Sequence, residues 1–477
     1  MTETCTFETH IAAPAEAVLN WHLRAGAFER LLPPWDSTRV TRRSGSIEDN
    51  SMRVELSVPL AAGFRQRWKL HHENFAADSG FDDVLDSGAF PEWRHEHRIA
   101  AIDATSARLA DSIHYSLPLG GVGRIGGGGM VRRRLERMFA YRHAVTRDDI
   151  AAHTRAALPP MRIAITGATG LVGRALAAYL ATAGHTIVPI SRRPLTHLAA
   201  GDPLAMAPTV VWDPAQGTID ADALEGVDAV IHLAGEPIAH DRWIPPARWT
   251  TESRMKIRES RIQGTRLIAE TVARMEHPPQ TLVCASAIGA YGDRADERLD
   301  DGSSFGNGFL ADVVRDWESA AEPARAASIR VVHARFGIIL SPASGALKRL
   351  LLPTKLGAGG ALGSGKQWWS WIGLDDVLGA IEHSLATESI EGPVNVVSPH
   401  PERQKALARV LGSVLHRPAV IPAPAPILKL VLGAELASDL LLASAHVQPN
   451  TLLDTGYIFR HPTIEEALRH TLGKLQT

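Results

Sequence analysis

Two kinds of hydrophobic pattern run along the chain, and they meet near residue 160. Before that point, short runs alternate apolar and polar residues: TFETHIAA, MRVELSVPL, RQRWKLHHENF, WRHEHRIAAI and SARLADSIHYSL. Side chains on a strand point to opposite faces in turn. Alternation interrupted by turns therefore predicts an antiparallel sheet with one buried face. A helix is predicted over about 130–154, where Val131, Leu135, Met138, Phe139, Val145 and Ile150 fall at roughly helical spacing. The breaker ALPP ends this unit. The stretch MRIAITGATG from Met161 reads like a fresh N-terminus, which implies a fusion of two units.

After residue 161 the strands become continuous apolar runs: RIAIT, TIVPI, TVVWD, DAVIHLA, QTLVCAS and RVVHARF. Helical segments separate them, including LVGRALAAYLATAG, 247–275 and 308–327. Strands apolar on both faces, alternating with helices, predict a doubly wound parallel α/β sheet of Rossmann type. From about 340 the pattern loosens into Gly/Pro-rich segments and short helices. The expected layout is an α+β unit over 1–156, a Rossmann unit with a substrate lobe over 161–400, and a helical module over 401–477. The greasiest stretch, 427–445, carries Lys429, Glu435 and Asp439, so it predicts buried helices and no bilayer span.

Composition narrows the function classes. A length of 477 residues exceeds one ordinary core. The net charge of −2 gives no electrostatic case for nucleic acid or an anionic membrane, and the cluster RRRLER at 132–137 reads as an exposed helix face. Cys5 and Cys284 are far apart, with neither a disulfide framework nor metal-ligand spacing. A cytoplasmic setting is expected, since the N-terminal residues lack the basic start and apolar run of a signal peptide. His10, His71, His72, His95, His97 and His114 sit at adjacent or alternating positions. They read as sheet-face residues, and no metal site is expected.

Two glycine loops compete for a dinucleotide phosphate. GVGRIGGGG, 121–129, fits G-x-G-x-x-G, but its helix runs into the ALPP breaker with no second strand after it. It reads as a hinge whose glycines let the following helix move as a lid over an apolar cavity. ITGATGLVG, 165–173, has the preceding strand, the following helix and a second strand, which a phosphate loop requires. There Gly167 makes the tight turn, Gly170 admits the pyrophosphate and Gly173 packs the helix on the strand. The second strand ends at Ser191, Arg192 and Arg193, where an NAD site would carry an acid for the ribose 2′-hydroxyl. Arginine suits a 2′-phosphate, so NADP(H) is favoured over NAD(H).

TGATGLVG, VIHLAGEPI, SRIQGTRLI, SAIGAYGD and the run from RFGIIL through SWIGLDD resemble the extended short-chain dehydrogenase/reductase superfamily. The resemblance narrows to its atypical branch, the NAD-dependent epimerase/dehydratase-like (SulA-like) proteins with their own C-terminal module. Residues 1–155 resemble, more loosely, the START-like (SRPBCC) ligand-binding domains. The resemblance implies cofactor contacts from Gly167, Thr169, Gly170, Leu171, Val172 and Gly173, and from the turn Leu233, Ala234 and Gly235. Arg335 and Gly337 would pass the nicotinamide. Ser286 would polarise a substrate oxygen, and Tyr291 is the nearest candidate proton donor.

One departure counts against ordinary catalysis. Aligning Glu318 with the glutamate that follows the superfamily's Tyr-x-x-x-Lys places Leu310 and Val314 on the two catalytic positions. Neither transfers a proton. Lys256 and Arg261 read as a solvated helix face, Lys366 could meet an anionic group, and Trp368, Trp369 and Trp371 read as core or pocket wall. Asp375 and Asp376 read as a helix N-cap pair. Three functional readings stay open. The first is an NADP(H)-dependent oxidoreductase acting on a small hydrophobic substrate supplied through a lipid-type N-terminal pocket. The second is a catalytically weak NADP(H)-binding sensor or scaffold. The third is a nucleotide-sugar epimerase or dehydratase.

Overall fold

The computed structural model describes residues 2–60, 63–118, 127–238 and 248–474. Its N-terminal unit runs β1 (Glu3–Ile11), α1 (Ala15–Leu23), α2 (Ala27–Leu31), β2 (Arg39–Ser44), β3 (Arg53–Pro59), β4 (Arg65–Ala76), β5 (Gly80–Ser87), β6 (Glu92–Asp103), β7 (Ser106–Ser116) and α3 (Gly129–Ala156). The strands form a seven-stranded sheet in the order β1-β7-β6-β5-β4-β3-β2. Every neighbouring pair is antiparallel, as the alternation predicts. Alternate residues of β7 are buried, and Ile11, Trp21, Phe81, Leu109, Tyr141 and Val145 share the core beneath α1 and α3. A cavity of about 420 Å³ lies between the sheet and the helices, walled by Trp68, Leu70, Phe90, Trp93, Leu135 and Met138. Of the hinge expected over 121–129, residues 121–126 lie outside the described residues, and Gly129 already opens α3.

The second unit is built on an eight-stranded sheet. Its strands are β8 (Arg162–Thr166), β9 (Thr186–Ser191), β10 (Val210–Asp213), β11 (Thr218–Ile219), β12 (Ala229–His232), β13 (Thr281–Ala287), β14 (Arg330–Phe336) and β15 (Gly392–Val396). The order is β11-β10-β9-β8-β12-β13-β14-β15. All neighbours are parallel except β11 against β10. Strand phase explains the continuous apolar runs. Ile163, Ile165, Ile187, Ile231 and Val283 pack on one face, while Ala164, Val188, Ile190, Val230 and Leu282 pack on the other. The covering helices include α4 (Leu171–Thr182), α5 (Thr251–Val272), α6 (Phe309–Ser319), α7 (Gly345–Lys355) and α8 (Leu374–Ala386).

The C-terminal residues add α9 (Gln404–Val414), α10 (Ala425–Leu432) and α11 (Ile464–Leu472). Leu407, Leu411, Ala467 and Leu468 close a core around Trp369 and Trp371. The expectation that 427–445 is buried throughout fails on α10, which has no buried residue and leaves Ile427 and Leu430 at 54% and 73% exposure. Burial passes to the next turn, where Leu436 and Ala437 are enclosed. Among the described residues, no helix is long and apolar enough to cross a membrane.

The two units touch through α2 and α4. Gly26 sits at φ +88°, and a Cβ there would lie 2.4 Å from the Ala178 carbonyl oxygen, so only glycine allows this approach. Beside it runs a buried ionic network. Arg30 donates to both Asp149 oxygens, Nε at 2.8 Å and Nη2 at 2.9 Å. Arg460 Nη1 reaches Asp149 Oδ1 at 2.6 Å. Arg30 also meets Asp375 at 2.9 Å, and His470 Nε2 meets Asp375 at 2.8 Å.

Candidate functional site

The 165–173 loop leaves β8 at the switch point of the sheet, where β8 is flanked by β9 on one side and β12 on the other. Open α/β sheets bind ligands in this crevice. Gly167 turns at φ +66°, and a Cβ there would stand 3.0 Å from both Leu233 C and Ala234 N. Gly173 lies still closer, since its Cβ would be 2.2 Å from the Gly167 oxygen and 2.8 Å from Ala168 Cα. Gly170 is the N-cap of α4, and a Cβ there would meet only the loop's own Gly167 oxygen, at 3.2 Å. The loop thus seals two glycines against backbone and leaves the third facing open space at a helix N-terminus, where N–H groups and dipole favour an anion.

Thr166 locks the loop to its neighbour. Its Oγ1 accepts from the N–H groups of Leu233 and Ala234 at 3.0 and 3.1 Å, leaving its proton for His232 Nδ1 at 2.8 Å. Burial pushes His232 down to about 4, which keeps that nitrogen an acceptor. Thr169, Gly170 and Leu171 border a cavity of about 400 Å³, closed on its far side by Leu340, Ser341 and, from the N-terminal unit, Arg30. Ser191 is half-buried at the end of β9, followed by exposed Arg192 and Arg193. Val172, Leu233 and Ala234 pack around the loop.

Gly235 faces Arg261, whose side chain would stand 3.5 Å from a Cβ there. Arg261 is therefore no solvated charge. It is buried over the Trp317 ring and donates to the Glu236 and Ile257 carbonyls at 2.9 and 3.0 Å, and burial pulls it down to about 10. Lys256 is exposed and pairs with Glu252 at 2.6 Å.

The residues expected to do chemistry converge, but on one another. Ser286, at the end of β13 and 2% exposed, donates to Glu318 Oε1 at 2.6 Å. Arg335 on β14 grips the same carboxylate with Nε and Nη2, both at 2.8 Å. Burial favours the neutral Glu318 acid, but Arg335 and Ser286 outweigh it and hold the carboxyl below its usual range. Arg335 Nη1 donates to the Tyr291 hydroxyl at 3.0 Å, and that hydroxyl lies 2.7 Å from Asn395 Oδ1 and 2.9 Å from the Asp300 carbonyl.

Two of the expected site residues are held inside this cluster. The Arg335 guanidinium is engaged by Glu318, the carboxylate that a desolvated guanidinium requires. Tyr291 is 0% exposed, and its phenol is engaged by Arg335, Asn395 and Asp300. Leu310 lies beside this cluster, 3.4 Å from where a Gly289 Cβ would be, and Val314 is buried. Gly337 serves packing, since a Cβ would lie 2.6 Å from the Ser370 oxygen. Asn395 belongs to the cluster too, and its one signal in the sequence is an asparagine in the otherwise apolar strand GPVNV.

Other singled-out residues fall elsewhere. Trp369 and Trp371 are core, while Trp368 stacks on His446 at 4.1 Å under the Arg403 guanidinium. Lys366 borders an open cleft with Arg403, Lys405 and Arg409. Asp375 and Asp376 do not cap α8. Gly373 takes the cap position, Asp375 joins the ionic network, and Asp376 accepts from the Arg460 and His461 N–H groups at 2.7 and 3.2 Å.

Residues 163–397 match the model of the NAD dependent epimerase/dehydratase family, and 423–471 match a domain of unknown function, DUF1731. An epimerase family protein of Mycobacterium bovis is 37% identical over 306 residues, covering 64% of this chain and 96% of its own. Epimerase family protein SDR39U1 of Bos taurus is 33% identical over 315 residues, 66% of this chain and all of its own. The crystal structure of human SDR39U1 with NADPH superposes with a TM-score of 0.57 at 30% identity, over 66% of this chain and 100% of that one. A structure described as the nucleoside-diphosphate sugar epimerase from Corynebacterium glutamicum spans both units. It covers 99% of this chain and 91% of that one, at 32% identity and a TM-score of 0.77. The glycine loop at the switch point and these likenesses lead to one assignment: the chain belongs to the NAD dependent epimerase/dehydratase family.

Proposed function

We propose that this chain binds NADP(H) across the Gly167–Gly173 loop and transfers hydride to or from a small, apolar substrate. The N-terminal unit, in this reading a START-like domain, presents that substrate from its cavity. The observation that carries the reading is the loop itself, with Gly167 and Gly173 sealed against backbone and Gly170 open at the N-terminus of α4. The α4 N–H groups would hold the pyrophosphate, with Thr169, Leu171 and Val172 beside it. Leu233, Ala234 and Gly235 would flank the adenosine ribose. Ser191 and Arg192 would take the 2′-phosphate, since no carboxylate follows β9 to repel it. The NADPH in the human relative supports the choice of cofactor.

When bound, the nicotinamide supplies or accepts the hydride. The chain's part would be to orient an oxygen, and Ser286 would be the donor. To act, its hydroxyl would turn from Glu318 to the substrate oxygen, water would supply or take up the proton that accompanies the hydride, and Arg335 would keep Glu318 ionised. Intrinsic fluorescence quenching on NADPH titration tests the reading at its base, and absence of quenching or thermal protection ends it.

The closed Ser286–Glu318–Arg335–Tyr291 cluster favours a second reading, a cofactor-binding sensor or scaffold without turnover. NADPH oxidation that Ser286→Ala abolishes would exclude that reading. A nucleotide-sugar epimerase, suggested by the Corynebacterium relative's name, would need the proton-transfer pair that Leu310 and Val314 do not provide.

A further inference from the structure

The inner face of the N-terminal sheet carries a polar cluster unlike the rest of its cavity. Strand register assembles it. His72 on β4 is opposite Asp83 on β5, Asp83 is opposite His95 on β6, and His97 is opposite Asp111 on β7. His95 and His97 are two apart and share a face, with ring centroids 3.9 Å apart. His143 reaches in from α3, and His22 from α1 faces His97 at 5.9 Å between centroids.

Hydrogen-bond counting shows that this cluster is not self-sufficient. His95 Nε2 bonds Asp111 Oδ1 at 2.9 Å, and His143 Nε2 bonds Asp111 Oδ2 at 2.6 Å. His97 Nε2 bonds Asp83 Oδ2 at 3.4 Å, while its Nδ1 lies 2.8 Å from Asp111 Oδ1 outside hydrogen-bond geometry. With its Nε2 proton directed to Asp111, His95 carries a lone pair on Nδ1. That lone pair lies 3.5 Å from Asp83 Oδ2, and an ionised carboxylate offers only lone pairs in return. His72 Nε2 approaches Asp83 Oδ1 to 2.7 Å, yet Asp83 Oδ1, His72 Nδ1 and His97 Nδ1 have no protein hydrogen-bond partner in good geometry. Lone pairs gathered this closely repel unless a cation lies among them. One divalent ion among these atoms balances the charges of Asp83 and Asp111 and takes up the unshared lone pairs.

We infer that Asp83, His95 and His97 bind a single divalent transition-metal ion on the cavity-facing side of the sheet. One ligand atom from each lies within 4.8 Å of the others. Imidazole and carboxylate donors suit zinc, iron or cobalt. Asp111 is the outer carboxylate that holds the ligand imidazoles in orientation, as such partners do around metal sites. Three protein ligands leave the ion's remaining positions to the cavity between Phe81, Phe90 and Trp93. An apolar ligand with one oxygen donor fits there. This inference does not depend on cofactor binding in the second unit.

The full-length chain, stripped with a chelator and dialysed, is titrated with Co²⁺ and followed by its visible d–d bands. We expect a single Co²⁺ per chain, displaced by Zn²⁺. Asp83→Asn and His97→Gln should each weaken binding by at least ~100-fold, and Asp111→Asn by about 10–100-fold. His114→Gln, on a half-exposed side chain bonded to Thr4, should leave it unchanged. No cobalt uptake by the wild-type chain, or bands that survive Asp83→Asn and His97→Gln, would overturn the inference. If those variants do not fold, zinc K-edge absorption on the wild-type chain decides. Imidazole scattering with Zn–N at about 2.0–2.1 Å supports the site, and a shell without imidazole refutes it.

Discussion

Replacing Asp149 by asparagine removes one negative charge from the network that joins the N-terminal unit to the rest of the chain. Asp149 is 0% exposed, and its partners Arg30 and Arg460 are each 5% exposed, so solvent cannot take its place. Removing one partner of a buried pair costs about 3–5 kcal/mol, because the remaining charge is stranded. Arg30 keeps Asp375, and Arg460 keeps the Tyr179 hydroxyl at 3.4 Å, which points to the lower end, about 3 kcal/mol. In a cooperative unit of 150–250 residues each kcal/mol shifts the midpoint by roughly 2–4 °C, so the thermal transition should fall by about 6–12 °C.

The pH dependence gives that prediction a second edge. Burial pushes the Asp149 carboxyl up, but Arg30 and Arg460 outweigh burial and hold it below the ordinary range. A depressed carboxyl contributes its full stability above the unfolded-state value, near 4, and loses it as pH falls through the folded value. Calorimetric scans of wild type and Asp149→Asn should therefore differ most at neutral pH and converge in acid. A neutral-pH difference under about 2 °C, or one that persists undiminished at low pH, would refute the reasoning.

Gly173→Ala puts a Cβ 2.2 Å from the Gly167 oxygen, a backbone atom that cannot swing aside. NADPH affinity read by fluorescence should drop at least ~10-fold, and an unchanged titration would remove the loop from cofactor binding. Replacing Arg192 and Arg193 together by alanine should cut the NADPH/NADH affinity ratio by about 10–100-fold, the worth of a charged hydrogen bond, with NADH binding unaffected. The Asp376 carboxyl is pushed up to about 6, first by burial and to a lesser degree by neighbouring Asp375. A raised carboxyl contributes stability that is full below its unfolded value and lost as pH rises through 6. Relative to Asp376→Asn, the wild-type chain should lose about 2 kcal/mol between pH 4 and pH 7 in denaturant titrations. Parallel pH profiles for the two proteins would contradict the assignment.

The parts of the fold that sequence pattern reveals are those governed by strand and helix phase. Ile163 and Ile165 bury one face of the parallel sheet and Ala164 the other, so the middle of RIAIT had to be apolar at every position, and its neighbours likewise. The choice between glycine loops was legible for the same reason, since strand, helix and second strand are local features. What phase cannot supply is the identity of a neighbour brought in from elsewhere. Ser286 was assigned to a strand end, yet what its hydroxyl meets is Glu318, 32 residues away on α6. Asp375 sits in the first turn of α8, where an acid at a helix start is unremarkable, and only tertiary packing delivers Arg30 and His470 to it.

The histidine cluster shows where pattern could have gone further. In WRHEHRIAAI the charged residues Arg94, Glu96 and Arg98 occupy the outer phase of β6, while His95, His97 and Ile99 are buried on the inner one. The ligands show no metal-ligand spacing along the chain, because Asp83 reaches His95 through strand register, across a turn, and not through a local motif. Yet two imidazoles standing where a sheet core calls for aliphatic side chains already demand polar partners, since a buried imidazole without one is costly. That demand was readable from phase alone, before any partner was known. Acidic residues on the neighbouring strands answer it, Asp83 on β5 and Asp111 on β7.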